Sequence, residues 1–473
     1  MWWTSLALLL AISVVVDLRS GPRAALGAGV LLSFLFPSWI VNNIYGTPID
    51  LRVATALILL IWRLFDPREQ ICWWFNAGDW AIFVMFFVSV ASDTCQDGFS
   101  ISHFVLAFGT WSLPYIAGRL TIETVQDWRW MTGLFVVVAL IFAVSSVAEA
   151  TTHVNPTKKV FGNRPKDRAP QMMIRNGLKR AEGPTRHPIW FGMLQCLLLP
   201  WTLVAAARGL RGDGPLWWSI TPICSVCGVL ATMSRGPALA ALAIPYFLCL
   251  FFWPNARRYL VGAGIAAVCA GFLFQPHLRY GLEYWDNSRY STQAGKQIDV
   301  DGEKHQWTAM SHRWLVFSAY RRAISNAGLL GYGNTRTADF PFNVPLGPDA
   351  VQATSVFWTI DDEYLIILLR FGWFGLAAFA AICLTSMWHI LQQSQFCDAK
   401  ERLAPLAIAA ALPAVMCVFL VEWMPSDYGF LFLWLCGAAN GIRMTTATQA
   451  PSRFAQRSHR TIKKVHGESI ATL

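Results

Sequence analysis

Three consecutive carboxylates, Asp361, Asp362 and Glu363, stand immediately before an apolar run from Leu365 to Leu391. That run is long enough to cross a bilayer as a helix. Ionisable groups packed against a membrane helix are costly unless they are paired or used. A carboxylate can take a proton from a hydroxyl group, so we expect a functional site here. The alternative is that the acids only cap the helix, because its N-terminus favours negative charge.

Arginine accompanies histidine, serine or tryptophan in three further clusters beside apolar segments. They lie at residues 179–188, 234–237 and 311–314. Each supplies an arginine, namely Arg180, Arg235 and Arg313, and two supply a histidine, His187 and His312. The planar fork of arginine suits a phosphate or diphosphate. Together with the acidic triplet, these clusters would provide cationic donors and a base.

Each cluster also has a purely structural interpretation. Ser234, Arg235 and Gly236 could form a tight turn with an arginine that snorkels to the interface. His187 could simply begin a helix, because Pro188 is tolerated in a first turn. His312 and Arg313 could be solvated loop residues. These alternatives stay open at the level of sequence.

The composition predicts an all-α polytopic membrane protein. The mean hydropathy is +0.41 and 14% of the 473 residues are charged, whereas soluble domains carry about 25%. The 23 Trp and 31 Phe fit aromatic belts at two membrane interfaces. The net charge of +10 could suggest nucleic acid, but the Lys and Arg residues lie in short loops and a tail. We therefore expect membrane lipids and no nucleic acid as partners.

Apolar segments predict about 12–13 transmembrane helices, with one large loop between the tenth and eleventh. The predicted spans are 2–16, 24–41, 51–65, 80–93, 103–118, 130–148, 188–207, 216–232, 237–253, 259–275, 364–391, 403–423 and 427–443. They divide the chain into N-terminal helices (1–148), a basic external loop (149–187), helices (188–275), the large external loop (276–360), C-terminal helices (361–443) and a basic cytoplasmic tail (444–473).

The Lys and Arg residues of the short loops set the expected orientation. A cytoplasmic C-terminus leaves the large loop on the external side of the cytoplasmic (inner) membrane. The 149–187 loop breaks the rule, since it would lie outside with nine Lys and Arg against three acidic residues between Glu149 and Arg186. Either one helix is miscounted or this basic loop meets an anionic ligand such as a lipid diphosphate.

The large loop has the sequence of an ordered segment. Residues 307–326 predict an amphipathic helix, and residues 328–334 form a glycine-rich turn. Loops longer than about 15 residues in a compact protein are usually functional or disordered. The aromatic content of this one argues against disorder.

Four short motifs occur in order between residues 175 and 380. They are R-A-E-G with H-P at 180–188, S-R-G-P-A-L at 234–239, Arg313 followed by L-G-Y-G at 330–333, and D-D-E-Y-L at 361–365 followed by G-W-F-G-L at 372–376. In type and order they resemble the motifs of the O-antigen ligase and Wzy-type polymerase superfamily, which are polytopic glycosyltransferases with a GT-C-like fold.

The resemblance implies a polyprenyl-diphosphate-linked glycan as donor and a glycan chain or lipid-core sugar as acceptor. It implies no cofactor, no nucleotide sugar and no metal. Arg235 and Arg313 would stabilise the leaving diphosphate, and Asp361 would be the base. The remaining motif residues would bind substrate, and these are Arg180, His187, His312, Asp362, Glu363 and Tyr364.

The acidic triplet departs from the family pattern at two positions. Asp361 occupies the place where ligases usually have histidine, and Asp362 replaces the common asparagine. A carboxylate can serve as the base, and burial among acidic neighbours would raise its proton affinity. The departure weakens an assignment as a lipopolysaccharide ligase, so ligase and polymerase both remain open.

Two other classes of function compete with a transferase. A transporter or flippase of lipid-linked substrates would commonly show inverted repeats and charged or broken helices in mid-membrane. No repeat is apparent between the halves of this chain, and most of its polar clusters lie at helix ends. A structural or sensory membrane protein would explain neither the arginines nor the acidic triplet.

Overall fold

The helices of this protein follow from its apolar composition, because a chain in a bilayer must satisfy its backbone N–H and C=O groups internally. The computed structural model is an all-α polytopic membrane protein, as the composition predicts. It describes residues 1–44, 47–68, 71, 74–163, 174–175, 177–273, 297–300, 303–306, 309–338, 342–345, 360–398 and 400–443. The predicted tail at 444–473 and much of the large loop lie outside these residues.

Seventeen α-helices occur in the described part of the chain. In order they are α1 (Trp2–Ser20), α2 (Pro22–Ser33), α3 (Leu51–Phe65), α4 (Ala77–Asp97), α5 (Ile101–Ala107), α6 (Leu113–Thr121), α7 (Val125–Thr152), α8 (Pro156–Phe161), α9 (Pro188–Leu210), α10 (Thr221–Ala231), α11 (Arg235–Phe252), α12 (Arg257–Leu273), α13 (Ala309–Asn326), α14 (Gly333–Arg336), α15 (Glu363–Ser394), α16 (Leu403–Val418) and α17 (Ser426–Gly441). A π-helical turn, Phe108–Ser112, joins α5 to α6, and a 3₁₀ turn, Leu216–Ile220, precedes α10.

Three short antiparallel hairpins complete the described secondary structure. They pair β1 (Val41–Ile44) with β2 (Thr47–Asp50), β3 (Ile174–Arg175) with β4 (Leu178–Lys179), and β5 (Gln297–Val300) with β6 (Glu303–Gln306). The first hairpin ends at Asp50, whose carboxylate accepts a hydrogen bond of 2.6 Å from the backbone N of Arg52. This side chain caps α3, so the hairpin sets where that helix begins.

Six helices in the described residues are long and apolar enough to span a membrane, namely α1, α4, α7, α9, α11 and α15. Residues 216–231 and α16 are shorter apolar helices. Several predicted spans differ from the observed elements, and in the span at 403–423 the helix ends at Val418. In the predicted span at 24–41 the helix ends at Ser33, shortly before Pro37. The predicted span at 103–118 is interrupted by the π-helical turn.

The centre of the bundle is formed by α6 and α17. Every residue of α17 from Asp427 to Gly441 is buried. A Cβ on Gly118 of α6 would overlap the carbonyl of Trp434, and one on Gly437 would overlap the carbonyl of Tyr115. Small residues at this contact let the two backbones approach closely, which is how membrane helices gain packing contacts without a hydrophobic driving force.

Contacts near the helix ends give the bundle two distinguishable ends. Arg52, in the first turn of α3, donates to the carbonyl of Ser426 at 3.0 Å, so α3 and α17 begin side by side. Asn76 donates to the carbonyl of Asn440 at 3.2 Å, at the other end of α17. We call the end where α9, α11, α15 and α17 begin the loop end.

The amphipathic helix predicted at 307–326 is observed as α13. Its buried residues Val316, Ala319 and Tyr320 pack in one cluster with Leu365 and Ile366 of α15. The large loop therefore returns against the beginning of α15.

Candidate active site

The acidic triplet is held in place by backbone contacts. Asp362 is the N-cap of α15, and its Oδ1 accepts a hydrogen bond of 2.8 Å from the backbone N of Leu365. The backbone N of Glu363 donates to the carbonyl of Phe419 at 2.9 Å, and its Oε2 accepts from the backbone N of Met424 at 2.7 Å. The capping alternative thus describes Asp362, while Glu363 is tied to the α16–α17 loop.

The three carboxylates differ in burial. Asp362 and Glu363 are 5% and 4% exposed, whereas Asp361 is half-buried. Burial raises the pKa of Asp362 to about 6, although its hydrogen bonds from the backbone of Leu365 and Tyr364 oppose that rise. Asp362 therefore changes protonation near neutral pH, and Asp361 is the carboxylate with the greatest access from outside.

The arginine motif at 180–183 and the S-R-G motif lie in direct contact. Arg180 Nη2 donates to Ser234 Oγ at 2.9 Å, and its Nε donates to the carbonyl of Thr232 at 3.4 Å. The backbone N of Ala181 donates to the carbonyl of Ala231 at 3.1 Å. Arg180 is buried, while Arg235 begins α11 and is exposed. The buried arginine thus fixes the turn that presents the exposed one.

Part of the predicted basic loop is structural. Glu149, near the end of α7, accepts from the backbone N of Gly183 at 2.9 Å and forms an ion pair with Lys179 at 3.0 Å. Lys158 forms an ion pair of 2.8 Å with Glu182. Of the lysines predicted to meet an anionic ligand, Lys179 therefore holds the loop to α7, and Lys158 joins two parts of the loop. The basic residues between 164 and 173 lie outside the described residues.

The α16–α17 loop joins the histidine motif to the acidic triplet. His187 is the N-cap of α9, and its Nδ1 accepts from the backbone N of Ile189 at 3.2 Å. Trp190 Nε1 donates to Glu422 Oε1 at 3.1 Å, and the ring of Trp190 meets that of Trp423 edge-on with centroids 5.2 Å apart. His187 therefore begins a helix, as the structural interpretation predicts, beside the same loop that holds Glu363.

Glu422 and Asp427 are more important to this site than the sequence indicates. Both are buried, at 4% and 0% exposure. Asp427 Oδ1 accepts from the backbone N of Arg186 at 3.1 Å and also from the hydroxyl of Ser38. Their only sequence signal is that they flank a Trp-Met-Pro-Ser turn between two apolar runs.

The beginnings of α11 and α15 meet at the last turns of α16. A Cβ on Gly236 would lie 3.2 Å from Val418 Cγ1. The hydroxyl of Tyr364 donates to the carbonyl of Met416 at 2.9 Å. The loop end therefore brings together, around α16 and the loop that follows it, the motifs containing Arg180, His187, Arg235, Asp361, Asp362, Glu363 and Tyr364.

His312 and Arg313 lie on α13, and their side chains are outside the described part of the structure. Arg313 precedes the buried Val316 by about one turn. Because α13 packs against the first turns of α15, both residues belong to the loop end.

The two glycine motifs of the sequence interlock. Gly331 and Gly372 adopt φ values of 69° and 65°, and Gly372 breaks α15. A Cβ on Gly331 would lie 2.6 Å from the carbonyl carbon of Arg370, and one on Gly372 would overlap the carbonyl of Leu329. The backbone N of Tyr332 donates to the carbonyl of Leu369 at 2.8 Å. This contact fixes the first turns of α15 against the glycine-rich turn.

Within the described residues, no group of three or more His, Cys, Asp or Glu side chains is arranged to hold a metal ion. The chemistry that these side chains can perform is proton transfer by a carboxylate and charge stabilisation by arginine.

Comparison with protein families gives a match over residues 220–380 to the family described as O-antigen ligase (Wzy_C). The matched region contains the S-R-G motif, α13, both glycine motifs and the acidic triplet. The arginine and histidine motifs at 180–188 precede it, and the arginine motif joins it through the Arg180–Ser234 contact. Among curated proteins, no match was found.

Proposed function

Because residues 220–380 match the O-antigen ligase family, we propose that the chain transfers or polymerises a glycan carried on a polyprenyl diphosphate. The family supports a glycosyltransferase role in the membrane assembly of O-antigen. The observation that carries the finer proposal is the meeting of the arginine, histidine and acidic motifs around the end of α16. An arginine-rich end with an accessible carboxylate suits attack of a hydroxyl on a sugar diphosphate.

The proposed reaction is one displacement at the anomeric carbon of the donor sugar. The acceptor hydroxyl oxygen bonds to that carbon, and the bond from the carbon to the diphosphate oxygen breaks. The polyprenyl diphosphate leaves with the electron pair, and the acceptor proton passes to the carboxylate of Asp361. General-base assistance of this kind contributes about 10²–10⁴-fold in rate.

The arginines have the complementary role, since negative charge grows on the leaving diphosphate. Arg235 and Arg313 would bind that charge, and their planar forks match diphosphate oxygens. Arg180 acts through another residue, because its hydrogen bond to Ser234 positions the turn that carries Arg235. His187, His312, Asp362, Glu363 and Tyr364 complete the substrate-binding set proposed from the sequence.

The loop end would face the external side of the cytoplasmic membrane, and the C-terminus would be cytoplasmic. This orientation is supported by the Lys and Arg residues of the short loops and of the 444–473 tail. A diphosphate-linked donor displayed on the external leaflet would then reach Arg235 at the exposed start of α11.

The test is transfer in vitro with purified protein and purified lipid-linked glycan. One arm contains the donor alone, so that longer chains report polymerisation. A second arm adds a lipid-core acceptor, so that a glycosylated lipid reports ligation. Arg235→Ala should reduce transfer at least about 100-fold in the active arm.

Arg257→Ala is the matched control, because Arg257 is also exposed and lies beyond the far end of α11. It should retain the wild-type rate. Absence of product in both arms with folded wild-type protein would refute the transferase proposal. Equal rates for Arg235→Ala and Arg257→Ala would refute the role given to Arg235.

A further inference from the structure

A cavity of about 180 Å³ lies between α4, the π-helical turn after α5, and α15. Its wall combines five polar side chains with two aromatic rings and four aliphatic residues. The polar residues are Ser89, Thr110, Asn334, Glu363 and Arg370, and the rings are Trp111 and Phe371. The cavity begins at the acidic triplet, since Glu363 belongs to both.

The polar wall is held rigidly. Glu363 and Arg370 are seven residues apart, so they lie on one face of α15. Arg370 donates to Thr337 Oγ1 and to the Thr337 carbonyl, both at 3.1 Å. Asn334 Nδ2 donates to Asp93 Oδ2 at 2.9 Å. These bonds fix a guanidinium and an amide beside the carboxylate before any ligand arrives.

The buried hydroxyl of Ser89 indicates that the cavity binds a ligand. Ser89 is fully buried at 0% exposure, it lines the cavity, and its Oγ has no hydrogen-bond partner among the described residues. A buried polar group without a partner destabilises the fold, so such groups in native proteins usually meet water or a ligand. Glu363, whose Oε2 accepts from Met424, presents its carboxylate to the same space.

The size and lining of the cavity indicate the class of ligand. A cavity of about 150 Å³ accepts a benzene-sized ring, so this one has room for a single six-membered ring. Trp111 and Phe371 offer aromatic surface to an apolar ring face, while the polar side chains offer hydrogen bonds to hydroxyl groups at its edge. Glu363 and Arg370 place one charge of each sign on this wall, so the lining does not select for a phosphate. A pyranose ring satisfies both kinds of surface.

We propose that this cavity binds one monosaccharide unit of the glycan substrate, with Ser89, Glu363 and Arg370 bonded to its hydroxyl groups. The inference rests on the proposed function for its substrate class. The sugar could belong to the donor or to the acceptor glycan. Leu106 and Thr110 at the cavity wall are exposed, so the cavity reaches the side of the bundle.

Filling the cavity tests this proposal. Ala107 lines it and is 1% exposed, so Ala107→Phe places a ring in the space for the sugar. We expect KM to rise at least about tenfold for one substrate, equivalent to about 1.4 kcal/mol. A rise in the donor KM at saturating acceptor assigns the sugar to the donor, and the converse assigns it to the acceptor. Val105→Phe, at an exposed position on the same helix, should leave both KM values unchanged.

Ser89→Ala is the milder variant, useful if Ala107→Phe does not fold. It removes one neutral hydrogen bond, so the same KM should rise about threefold to tenfold. Unchanged KM values for donor and acceptor in folded Ser89→Ala protein would overturn the proposal. Such a result would mean that the cavity holds only water.

Direct binding separates this proposal from the proposed function. The probe is the free glycan released from the purified lipid-linked donor by mild acid, and the measurement is saturation-transfer NMR on the detergent-solubilised protein. The sugar site is supported if the wild type and Val105→Phe bind the glycan and Ala107→Phe does not. This holds even if the wild type shows no transfer. Binding equal in all three proteins overturns the sugar site, even if transfer is observed.

Discussion

Asp66 and Asp362 have opposite protonation behaviour at opposite ends of the bundle. Asp66 follows α3, and its Oδ1 accepts from the backbone N of Arg68 at 2.8 Å and from Arg68 Nε at 2.9 Å. These hydrogen bonds lower the pKa of Asp66 to about 2. Asp362 precedes α15, and burial raises its pKa to about 6. One carboxylate is fixed in its charged form, and the other can exchange a proton near neutral pH.

The surroundings of Asp66 show what a purely structural cluster looks like in this protein. Arg68 also bonds to Asp17 at 2.6 Å. At the same end, Arg119 forms an ion pair of 3.2 Å with Asp79, and Arg23 forms one of 3.3 Å with Glu123. At the loop end, Asp362 and Glu363 instead accept backbone N–H groups. The comparison indicates that charge pairs hold the carboxylates around Asp66, whereas backbone N–H groups hold Asp362 and Glu363.

The largest expected effect tests directly whether the carboxylates at the two ends of the bundle have different roles. Asp361→Asn should lower transfer about 1,000-fold, or about 4 kcal/mol, because the amide cannot accept the acceptor proton. Its thermal unfolding temperature in detergent should stay close to that of the wild type. Asp66→Asn should do the reverse, with lower thermal stability and an unchanged rate per folded molecule. The comparison fails if Asp361→Asn retains activity, or if Asp66→Asn loses activity while folded.

The second effect concerns the backbone that positions α15. Gly372→Ala should destabilise the protein by at least about 3 kcal/mol, because its φ of 65° and ψ of −165° are open almost only to glycine and a Cβ would clash with the Leu329 carbonyl. Gly98→Ala is the matched control, since Gly98 has φ of 81° and nothing near the position of its Cβ. Because Gly98 has a similar ψ of 169°, Gly98→Ala should lose only the backbone strain, on the order of 1–3 kcal/mol, and less than Gly372→Ala. Thermal unfolding measures both, and equal losses would show that the Gly331–Gly372 contact contributes nothing.

Much of the fold could be predicted from the sequence, because bilayer helices require long apolar runs. The helix from 309 to 326 was also predictable, since its amphipathic pattern is local. The break at Gly372 was not, because it lies inside a continuous apolar run and depends on contact with residues 329–331. Hydropathy reports composition along one segment and carries no information about a backbone packed against it.

The candidate site was predictable in its residue types and not in its contacts. Three carboxylates before an apolar run indicate a special position, but Glu363 bonds to Met424, 61 residues away. Glu422 and Asp427 resemble ordinary interfacial acids in sequence. Their burial depends on Trp190 and Arg186, more than 230 residues earlier in the chain. Long-range partners of this kind cannot be read from spacing.

The smallest expected effect is the pH dependence that separates Asp362 from Asp66. A raised pKa in the folded state means that the stabilising contribution of Asp362 is complete below its ordinary value of 3.8 and is lost as pH rises through about 6. Asp362→Asn keeps the helix cap without the titration. The free energy of unfolding of Asp362→Asn, relative to that of the wild type, should therefore rise by about 2 kcal/mol as the pH rises from about 4.5 to about 7.5.

Asp66→Asn provides the control for this measurement, because the stabilising contribution of Asp66 is present above 3.8 and is lost only as pH falls through about 2. The difference in the free energy of unfolding between Asp66→Asn and the wild type should stay constant over the same pH interval. Parallel pH profiles for the two variants would remove the distinction between the ends. A rising difference for Asp362→Asn beside a constant one for Asp66→Asn would show that burial leaves Asp362 able to change protonation at the end where the proposed transfer occurs.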